Sequence, residues 1–577
     1  MTRTRSPIRR SLAALAVASL ALAGALFGAA PAHAANFEVF TAADSGAGSL
    51  RQAIINANAS PGADTITFQA GLVGPITITS GSIQIDEAVT ITGPGASALE
   101  VQRTGAFDLF VINDPEIAPD PADVTIEGLT FVSDSSDGGG IVAFDGANDI
   151  RNLSLVNTVW AGFFTSDEGA AVAVYASTGS VIISGSIFDE NAATLVGGAV
   201  YADNVAGSVS ITDSVFTDNQ SVDSDGGAVY TEDVGSVQIS GTIFDENFAL
   251  GSGGALFIDE VVGDSVIQTT NFINNTAGDN SSTTTWGGSI YVSYVDADAT
   301  LTIRQSSILD SNLNAGADDA YGAGLYLGEV VGEVLIDSST FARGVFLDSG
   351  NPTFGSGLSI GLCTIDLGGT LSVVNSTFDD DVTLDSFSIH ACGIEDGGLL
   401  SVSYSTLVGP GNVTVQNNDG DVFITSTILD ASAPFPAVFI DNDGNPADVE
   451  WSLLSTALNT DYVTDGGGNR FSVADPLLGP LQNNGGPTPT RLLLPGSPAL
   501  DTGNPAVSGQ PSFDQRGTGF PRVNGRIDIG AIEMPRTLPA TGSVNDGAVG
   551  LAAILLLVAG LGLVIQGRRA LVRRGSR

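Results

Sequence analysis

The chain has no lysine and almost no histidine or cysteine. All 20 basic residues are arginines, against 64 Asp and Glu, and the formal net charge is −44. Between positions 152 and 469 the arginines are Arg304 and Arg343. A surface this acidic repels nucleic acid and anionic lipid, which argues against a nucleic-acid partner. The acidity either keeps a long exposed molecule soluble or attracts cations.

The scarcity of histidine excludes further kinds of site. His33 lies in an N-terminal leader, so His390 is the one histidine in the rest of the chain. A single histidine cannot form a metal site that needs several histidines, and no motif of a histidine-based catalytic triad accompanies it. We therefore assign His390, beside Cys392, a structural role.

A unit that recurs between residues 181 and 275 dominates the rest of the sequence. It reads VIISGSIFDEN at 181–191, VSITDSVFTDN at 209–219 and VQISGTIFDEN at 237–247. Its phenylalanines and asparagines each recur every 28 residues: Phe188, Phe216, Phe244 and Phe272, and Asn191, Asn219, Asn247 and Asn275. A second marker, two glycines followed by a small, an apolar and an aromatic residue, occupies 197–201, 226–230, 253–257 and 287–291.

Short β-branched segments broken by Gly, Asp and Asn predict strands and turns, and a fixed period of this length predicts a stacked solenoid. Equivalent residues of successive coils would then lie above one another, about 4.8 Å apart. The phenylalanines would form an internal stack, and the asparagines an amide ladder at a corner.

These repeats resemble those of polymorphic outer-membrane proteins and, more broadly, right-handed parallel β-helix proteins. The resemblance implies an all-β, single-stranded right-handed parallel β-helix, and the repeat spacing predicts about fourteen coils in its body. Weaker copies at 307–312, 339–341, 376–378 and 426–429 extend the body over residues 105–470.

The N-terminal part predicts export and a cap. Residues 1–34 have arginines, an apolar run and Ala32-His33-Ala34, typical of a cleaved signal peptide, although an uncleaved anchor helix is the alternative. Residues 35–104 hold a first strand, an amphipathic helix from Ser49 to Asn58 and the first coils. Such a helix would cover the open end of the solenoid.

The two cysteines, Cys363 and Cys392, are 29 residues apart, which equals the local repeat. They should lie on neighbouring coils within disulfide range. Export makes a disulfide plausible, and two buried thiols are the alternative.

Residues 471–533 are rich in Pro and Gly and resemble the choice-of-anchor Q region that follows β-helices in surface proteins. We expect Arg516, Arg522 and Arg526 to pair with Asp514, Asp528 or Glu533 and to stiffen a C-terminal cap. A ligand site is the alternative.

The C-terminus combines a motif, an apolar run at 548–565 and a basic tail at 566–577. The motif is Leu538, Pro539, Ala540, Thr541 and Gly542. The apolar run is long enough to span a bilayer as a helix, with the tail in the cytoplasm. This order resembles a sortase cell-wall sorting signal, which implies cleavage after Thr541 and covalent transfer to peptidoglycan. A simple membrane anchor is the alternative. Because sortase-built pili need a lysine on each subunit, this chain is not such a pilin.

No catalytic or metal residues stand out. β-Helix lyases use an Arg or Lys base, for which Arg304 and Arg343 are available, and hydrolases use two acids. Asp189, Glu190, Asp245 and Glu246 recur at one coil position, as solvated corners do. Acidic corners at 223–226 and 441–444 are turn formers or, alternatively, Ca²⁺ ligands. No cofactor is expected otherwise.

The sequence thus predicts an exported protein on the wall of a Gram-positive-type bacterium. It would act as an adhesin-like binding protein for an unknown glycan or surface ligand, or as a structural protein. A wall-tethered polysaccharide lyase or hydrolase is the alternative.

Overall fold

The computed structural model describes residues 34–112, 122–143, 150–279, 285–314, 320–346, 356–379, 386–432, 435–440, 444–505, 510–523 and 525–535. These residues form parallel strands in stacked sheets around one continuous apolar core. This confirms the all-β parallel solenoid, while its handedness stays a prediction.

Along each complete coil the chain passes through a first, a second and a fourth stack of strands, and seven of the coils also contribute a strand to a short third stack between the second and the fourth. The first stack contains Asn36–Val39, Asp64–Phe68, Val89–Thr92, Asp123–Glu127, Asn152–Val156, Val181–Ser184, the later parts of Val200–Thr212 and Val229–Ser240, Ser265–Gln268, Thr300–Arg304, Glu333–Asp337, Thr370–Val374, Leu399–Ser403, Asp421–Thr425, Ala447–Glu450 and Val463–Gly467.

The second stack has 14 strands, and twelve of them lie within residues 105–470, where about fourteen coils were expected. They are Ile76–Ile78, Glu100–Arg103, Thr130–Ser133, Val159–Ala161, Ile187–Asp189, Val215–Thr217, Ile243–Asp245, Asn271–Ile273, Ser307–Leu309, Thr340–Ala342, Thr377–Asp379, Thr406–Gly409, Ile428–Ala431 and Leu453–Leu454. The third stack contains Phe164–Thr165, Ala192–Ala193, Gln220–Ser221, Phe248–Ala249, Thr276–Ala277, Asn312–Leu313 and Val345–Phe346.

The fourth stack carries the face that is described below. It contains Ile83–Ile85, Phe110–Ile112, Ile141–Ala143, Val172–Val174, the earlier parts of Val200–Thr212 and Val229–Ser240, Leu256–Val261, Ile290–Val295, Leu325–Val330, Ser356–Ile365, Ser386–Ile394, Gly411–Asn418 and Val438–Ile440. A separate pair, Thr285–Trp286 and Ala320–Tyr321, lies outside these stacks.

The phenylalanine stack and the amide ladder are both present. The ring centroids of Phe188, Phe216, Phe244 and Phe272 are 4.7, 4.9 and 4.8 Å apart in order, and all four side chains are buried. Each asparagine from Asn191 to Asn247 donates its Nδ2 to the next Oδ1 at 3.0 Å. The 28-residue period therefore equals one turn of the coil.

The paired glycines turn the chain from the third to the fourth stack. Gly226 has a φ of 67°, in the left-handed region that favours glycine. An added Cβ at Gly227 would overlap the backbone oxygen of Gly254 in the next coil. Ala228 then points into the core with no exposed surface. Glycine is thus required by backbone conformation at one position and by close coil packing at the next.

The amphipathic helix begins at Leu50 and ends at Asn58. The Ser49 side chain accepts a hydrogen bond from the Gln52 backbone N–H at 3.2 Å and caps the helix. Its buried face, which includes Leu50 and Ile54, joins the apolar core beside the first strands. The predicted helix is confirmed and covers the first coils.

Within the part of the chain that the structure describes, no helix is long and apolar enough to cross a membrane. The predicted signal peptide, except for Ala34, and the sorting motif, apolar span and basic tail lie outside the described residues.

Candidate binding face

The outer face of the fourth stack carries a continuous row of aromatic rings. Strand alternation turns Val200 into the core and Tyr201 outward. The strand register then aligns five rings, Tyr201, Tyr230, Phe257, Tyr291 and Tyr326. Their successive centroids are 5.9, 4.6, 4.4 and 5.3 Å apart. We call these five residues the aromatic strip.

Because the rings stack on one another, the strip presents edges and phenol groups to the outside rather than ring faces. Tyr201 is 7 % exposed and Tyr326 is 6 % exposed. Burial raises the pKa of Tyr201 and Tyr230, and nearby carboxylates, first Asp203 for Tyr201 and Asp259 for Tyr230, add to it. The phenols are therefore neutral and can donate hydrogen bonds at ordinary pH.

An acidic row of three residues runs beside the first three rings of the aromatic strip, two residues further along each of those strands. Asp203 faces Glu232 in the strand register, and Asp259 occupies the same place in the next coil. Burial raises the pKa of Glu232, and repulsion from Asp203 and Asp259 adds to it. The pKa of Asp259 is also raised, first by burial and then by Asp233. A cationic partner would relieve the repulsion within this row.

More carboxylates lie at the adjoining corner of the coils. Glu329 forms a hydrogen bond with Asp366, and this contact is the largest of the causes that raise the pKa of Glu329. Glu260 and Tyr294 occupy the positions that face Glu329 in the two preceding coils. Within the described residues, no group of three or more His, Cys, Asp or Glu side chains is arranged to hold a metal ion.

The two cysteines lie on the same outer face, beyond the last ring of the strip. Leu362 faces Ala391 and Thr364 faces Gly393, which places Cys363 beside Cys392 on the neighbouring strand. Both sulfur atoms are thiols in this structure. The facing positions agree with the expected stacking, and the disulfide itself stays a prediction.

His390 is fully buried, and its ring stacks on Tyr321 with the centroids 5.0 Å apart. Its Nε2 lies 3.7 Å from the Cys392 sulfur. Burial lowers the pKa of His390 to about 4, so the ring is neutral at pH 7. These contacts fit the structural role assigned from the sequence.

The arginines that were considered as lyase bases are engaged elsewhere on the coils. Arg304 donates two hydrogen bonds to the Gln268 Oε1, at 2.9 and 2.6 Å. Arg343 forms a bidentate ion pair with Asp310, at 2.7 and 2.6 Å. Neither arginine lies on a strand of the fourth stack, so the structure does not bring them to the aromatic strip.

Of the acids that were considered for hydrolysis, only Glu190 and Glu246 occupy coil corners. Asp189 and Asp245 end strands of the second stack, and Asp189 is buried, contrary to the expectation of solvated corners. Glu190 and Glu246 have φ angles of 54° and 56°, as turn residues do. Asp245 accepts a hydrogen bond from the Asn274 side chain at 3.2 Å. Asp225, in the corner considered for Ca²⁺, accepts the Ser252 backbone N–H at 2.5 Å. The second such corner includes residues 441–443, which lie outside the described residues.

The segment 471–533 packs along the flank of the solenoid, against the outer side of the second stack. The Gln515 side chain donates to the Ser339 carbonyl at 3.0 Å and bonds Thr377. Arg491 forms a bidentate pair with Asp379, with both distances 2.8 Å. Leu493 and Ile529 pack in an apolar cluster with Ile428 and Leu453 of the last coils.

The predicted ion pairs of this segment are present only in part. Arg516 pairs with the buried Asp514 at 2.6 Å, as expected. For Arg522 the prediction was wrong. Its guanidinium is buried over the Tyr404 ring and donates to the Asn375 side chain and to the Gly530 and Ala531 carbonyls, because this pocket offers neutral oxygens. Arg526 is exposed.

A family model described as the Chlamydia polymorphic membrane protein (Chlamydia_PMP) repeat matches residues 213–232. These residues run from the end of the first stack through one coil to the fourth stack and include Phe216, Asn219 and Tyr230. No curated protein and no solved structure matches the chain. The repeat match and the parallel β-helix together suggest a surface or autotransporter-like β-helix protein.

The aromatic strip was visible in the sequence without being interpreted. Tyr201, Tyr230, Phe257 and Tyr291 are the fifth residues of the paired-glycine markers. Acids lie two residues after the first three of these aromatics and completed the signal, because strand alternation puts both rows on one face.

Proposed function

We propose that the protein is an exported, peptidoglycan-anchored surface protein whose aromatic strip and acidic row bind an extended ligand. The observation that carries the proposal is that five rings align along one outer face and that three acids lie beside the first three of these rings. A ligand that runs along the solenoid axis would meet a ring about every 4.8 Å, with a carboxylate beside the ring on three successive coils.

The chemistry of the two rows selects the kind of ligand. Carboxylates accept hydrogen bonds and attract positive charge, and phenols donate and accept. Burial raises the pKa of Glu232 and Asp259, and repulsion from neighbouring carboxylates adds to it, so a positive partner would relieve this repulsion. We therefore propose a hydroxyl-rich glycan that carries amino groups, such as a partly deacetylated amino-sugar polymer.

Attachment to the wall is the second part of the proposal. A sortase would cleave after Thr541 and join its carbonyl to a peptidoglycan amine. The support is the order of motif, apolar run and basic tail at the C-terminus. Replacing Thr541 by alanine should leave the protein in the membrane fraction, and release of this variant with the wall fragments would contradict anchoring by this route.

Ligand binding is tested on residues 35–537 with a panel of acidic, neutral and amino-bearing glycans, with and without Ca²⁺. The variant Asp203→Asn/Glu232→Gln/Asp259→Asn should lose retention on the amino-bearing glycan. The control is Asp264→Asn/Asp298→Asn/Asp448→Asn, which neutralises three exposed acids on the first-stack side of the coils. It therefore removes the same total charge as the first variant but leaves the acidic row intact.

Equal retention of both triple variants would show that general acidity, and not this face, holds the ligand. Released sugar ends are measured in the same wells. Product that disappears with Arg304→Ala or Arg343→Ala would overturn the binding function in favour of a polysaccharide lyase or hydrolase.

A further inference from the structure

Cys363 and Cys392 differ in exposure although they face each other. The Cys363 side chain is exposed, and Cys392 is intermediate. Gly328 occupies the position beside Cys363 in the preceding coil, so no side chain covers the sulfur from that direction. At Gly393, next to Cys392, an added Cβ would meet no atom closer than the Asn417 carbonyl oxygen at 3.9 Å. A small molecule can therefore approach the Cys363 sulfur from outside.

Three neighbours stabilise the thiolate form of Cys363. The Cys392 side chain forms a hydrogen bond with it, the Thr364 hydroxyl lies 3.7 Å from the sulfur, and the Tyr326 hydroxyl forms a third hydrogen bond. These contacts, with Cys392 the largest, outweigh burial and the repulsion from Asp366 and lower the pKa of Cys363 to about 6. Thiolates, rather than thiols, attack disulfides.

We propose that Cys363 and Cys392 form a thiol–disulfide exchange site on the outer face, which takes small disulfides from the surroundings. Cys363 is the sulfur that exchanges with the external molecule, and Cys392 is the sulfur that resolves the mixed disulfide. The pair thus acts as a reversible reactive site rather than as a permanent cross-link between coils.

The reaction balances with an external disulfide R–S–S–R as the oxidant. The Cys363 thiolate attacks one sulfur, which forms Cys363–S–S–R and releases R–S⁻. Cys392 loses its proton to solvent and attacks the Cys363 sulfur, which closes the Cys363–Cys392 bond and releases the second R–S⁻. Two electrons pass from the two protein thiols to the external disulfide, and excess external thiol reverses both steps.

The test uses the reduced full chain with 2-hydroxyethyl disulfide, which is neutral, and with cystamine, which is cationic. Wild type should release two equivalents of thiol and end with an internal disulfide. Cys392→Ser should stop as a mixed disulfide on Cys363, which mass spectrometry identifies. Cys363→Ser should react slower than Cys392→Ser by about tenfold or more, because it lacks the exposed thiolate. Cystamine should react faster than the neutral probe, since the surroundings are acidic.

Two results would overturn the proposal. One is equal reaction rates for Cys363→Ser and Cys392→Ser, with circular dichroism showing that both variants are folded. The other is an internal disulfide in the folded wild type that dithiothreitol opens only after denaturation, since such a bond would be a structural cross-link.

Discussion

Replacing Asn219 by alanine tests whether the amide ladder holds the coils together. Its Oδ1 accepts the backbone N–H and the Nδ2 of Asn191, at 3.2 and 3.0 Å. Its Nδ2 donates to the Phe188 carbonyl and to the Asn247 Oδ1, both at 3.0 Å. The substitution removes all four hydrogen bonds at a site without solvent exposure. It also deprives the Asn191 backbone N–H of its acceptor.

At about 1 kcal/mol for each buried hydrogen bond, and more for the unpaired N–H, the loss should be roughly 3–5 kcal/mol. Each coil contacts mainly its neighbours, so the effect should be concentrated near the substitution. Native-state hydrogen exchange should show faster exchange of amides in the coils between residues 188 and 247. Urea unfolding followed by circular dichroism would give the overall loss.

The matched control is Gln220→Ala. Gln220 is the next residue, and Ala192 occupies its position in the preceding coil, so alanine already fits there. We expect little change in exchange or in urea unfolding from this variant. If Asn219→Ala is as mild as Gln220→Ala, the ladder contributes little and the stacked phenylalanines hold this corner.

Three further substitutions test other parts of the structure. Arg522→Met removes a buried donor of several hydrogen bonds and should release the segment 471–533 to limited proteolysis, whereas the exposed Arg526→Met should not. Burial lowers the pKa of His390 below its unfolded value of about 6.5, so the folded state resists protonation of the ring. The contribution of neutral His390 to the free energy of unfolding is fully present above pH 6.5, and about 3 kcal/mol of it is lost as the pH falls towards 4. Melting curves of His390→Gln should lack this part of the pH dependence, and an unchanged pH profile would contradict the assignment. Gly227→Ala should lower the free energy of unfolding by about 2 kcal/mol or more, because its Cβ would overlap a backbone oxygen, whereas Gly393→Ala, at an open position, should have little effect; equal urea midpoints would contradict this reasoning.

The sequence was sufficient for those features that a fixed period determines. A spacing of 28 residues equals one coil, so it already specifies that Phe188 lies under Phe216 and that Asn191 bonds Asn219. The helix Leu50–Asn58 was also predictable, because its apolar spacing and its Ser49 cap are local signals.

Contacts between distant, non-repeating segments could not be predicted in this way. Gln515 bonds Ser339, which is 176 residues away in the chain, and neither residue belongs to a shared pattern. The partners of Arg522 depend on the pocket between this segment and the second stack, where Asn375 and two carbonyls are closer than the expected carboxylates. Likewise, the acidic row could be placed beside the aromatic strip only when the register of several strands was known.

The flank contacts of the segment 471–533 have a consequence for how the molecule can evolve in length. Coils between residues 181 and 275 are interchangeable, so duplication or deletion of one whole coil would restore the same stacks and ladders. The segment instead reaches individual side chains on successive strands, from Thr340 to Leu453, and an inserted coil there would move its partners out of reach. Recombination can therefore lengthen or shorten the N-terminal half, while the C-terminal half has a fixed number of turns.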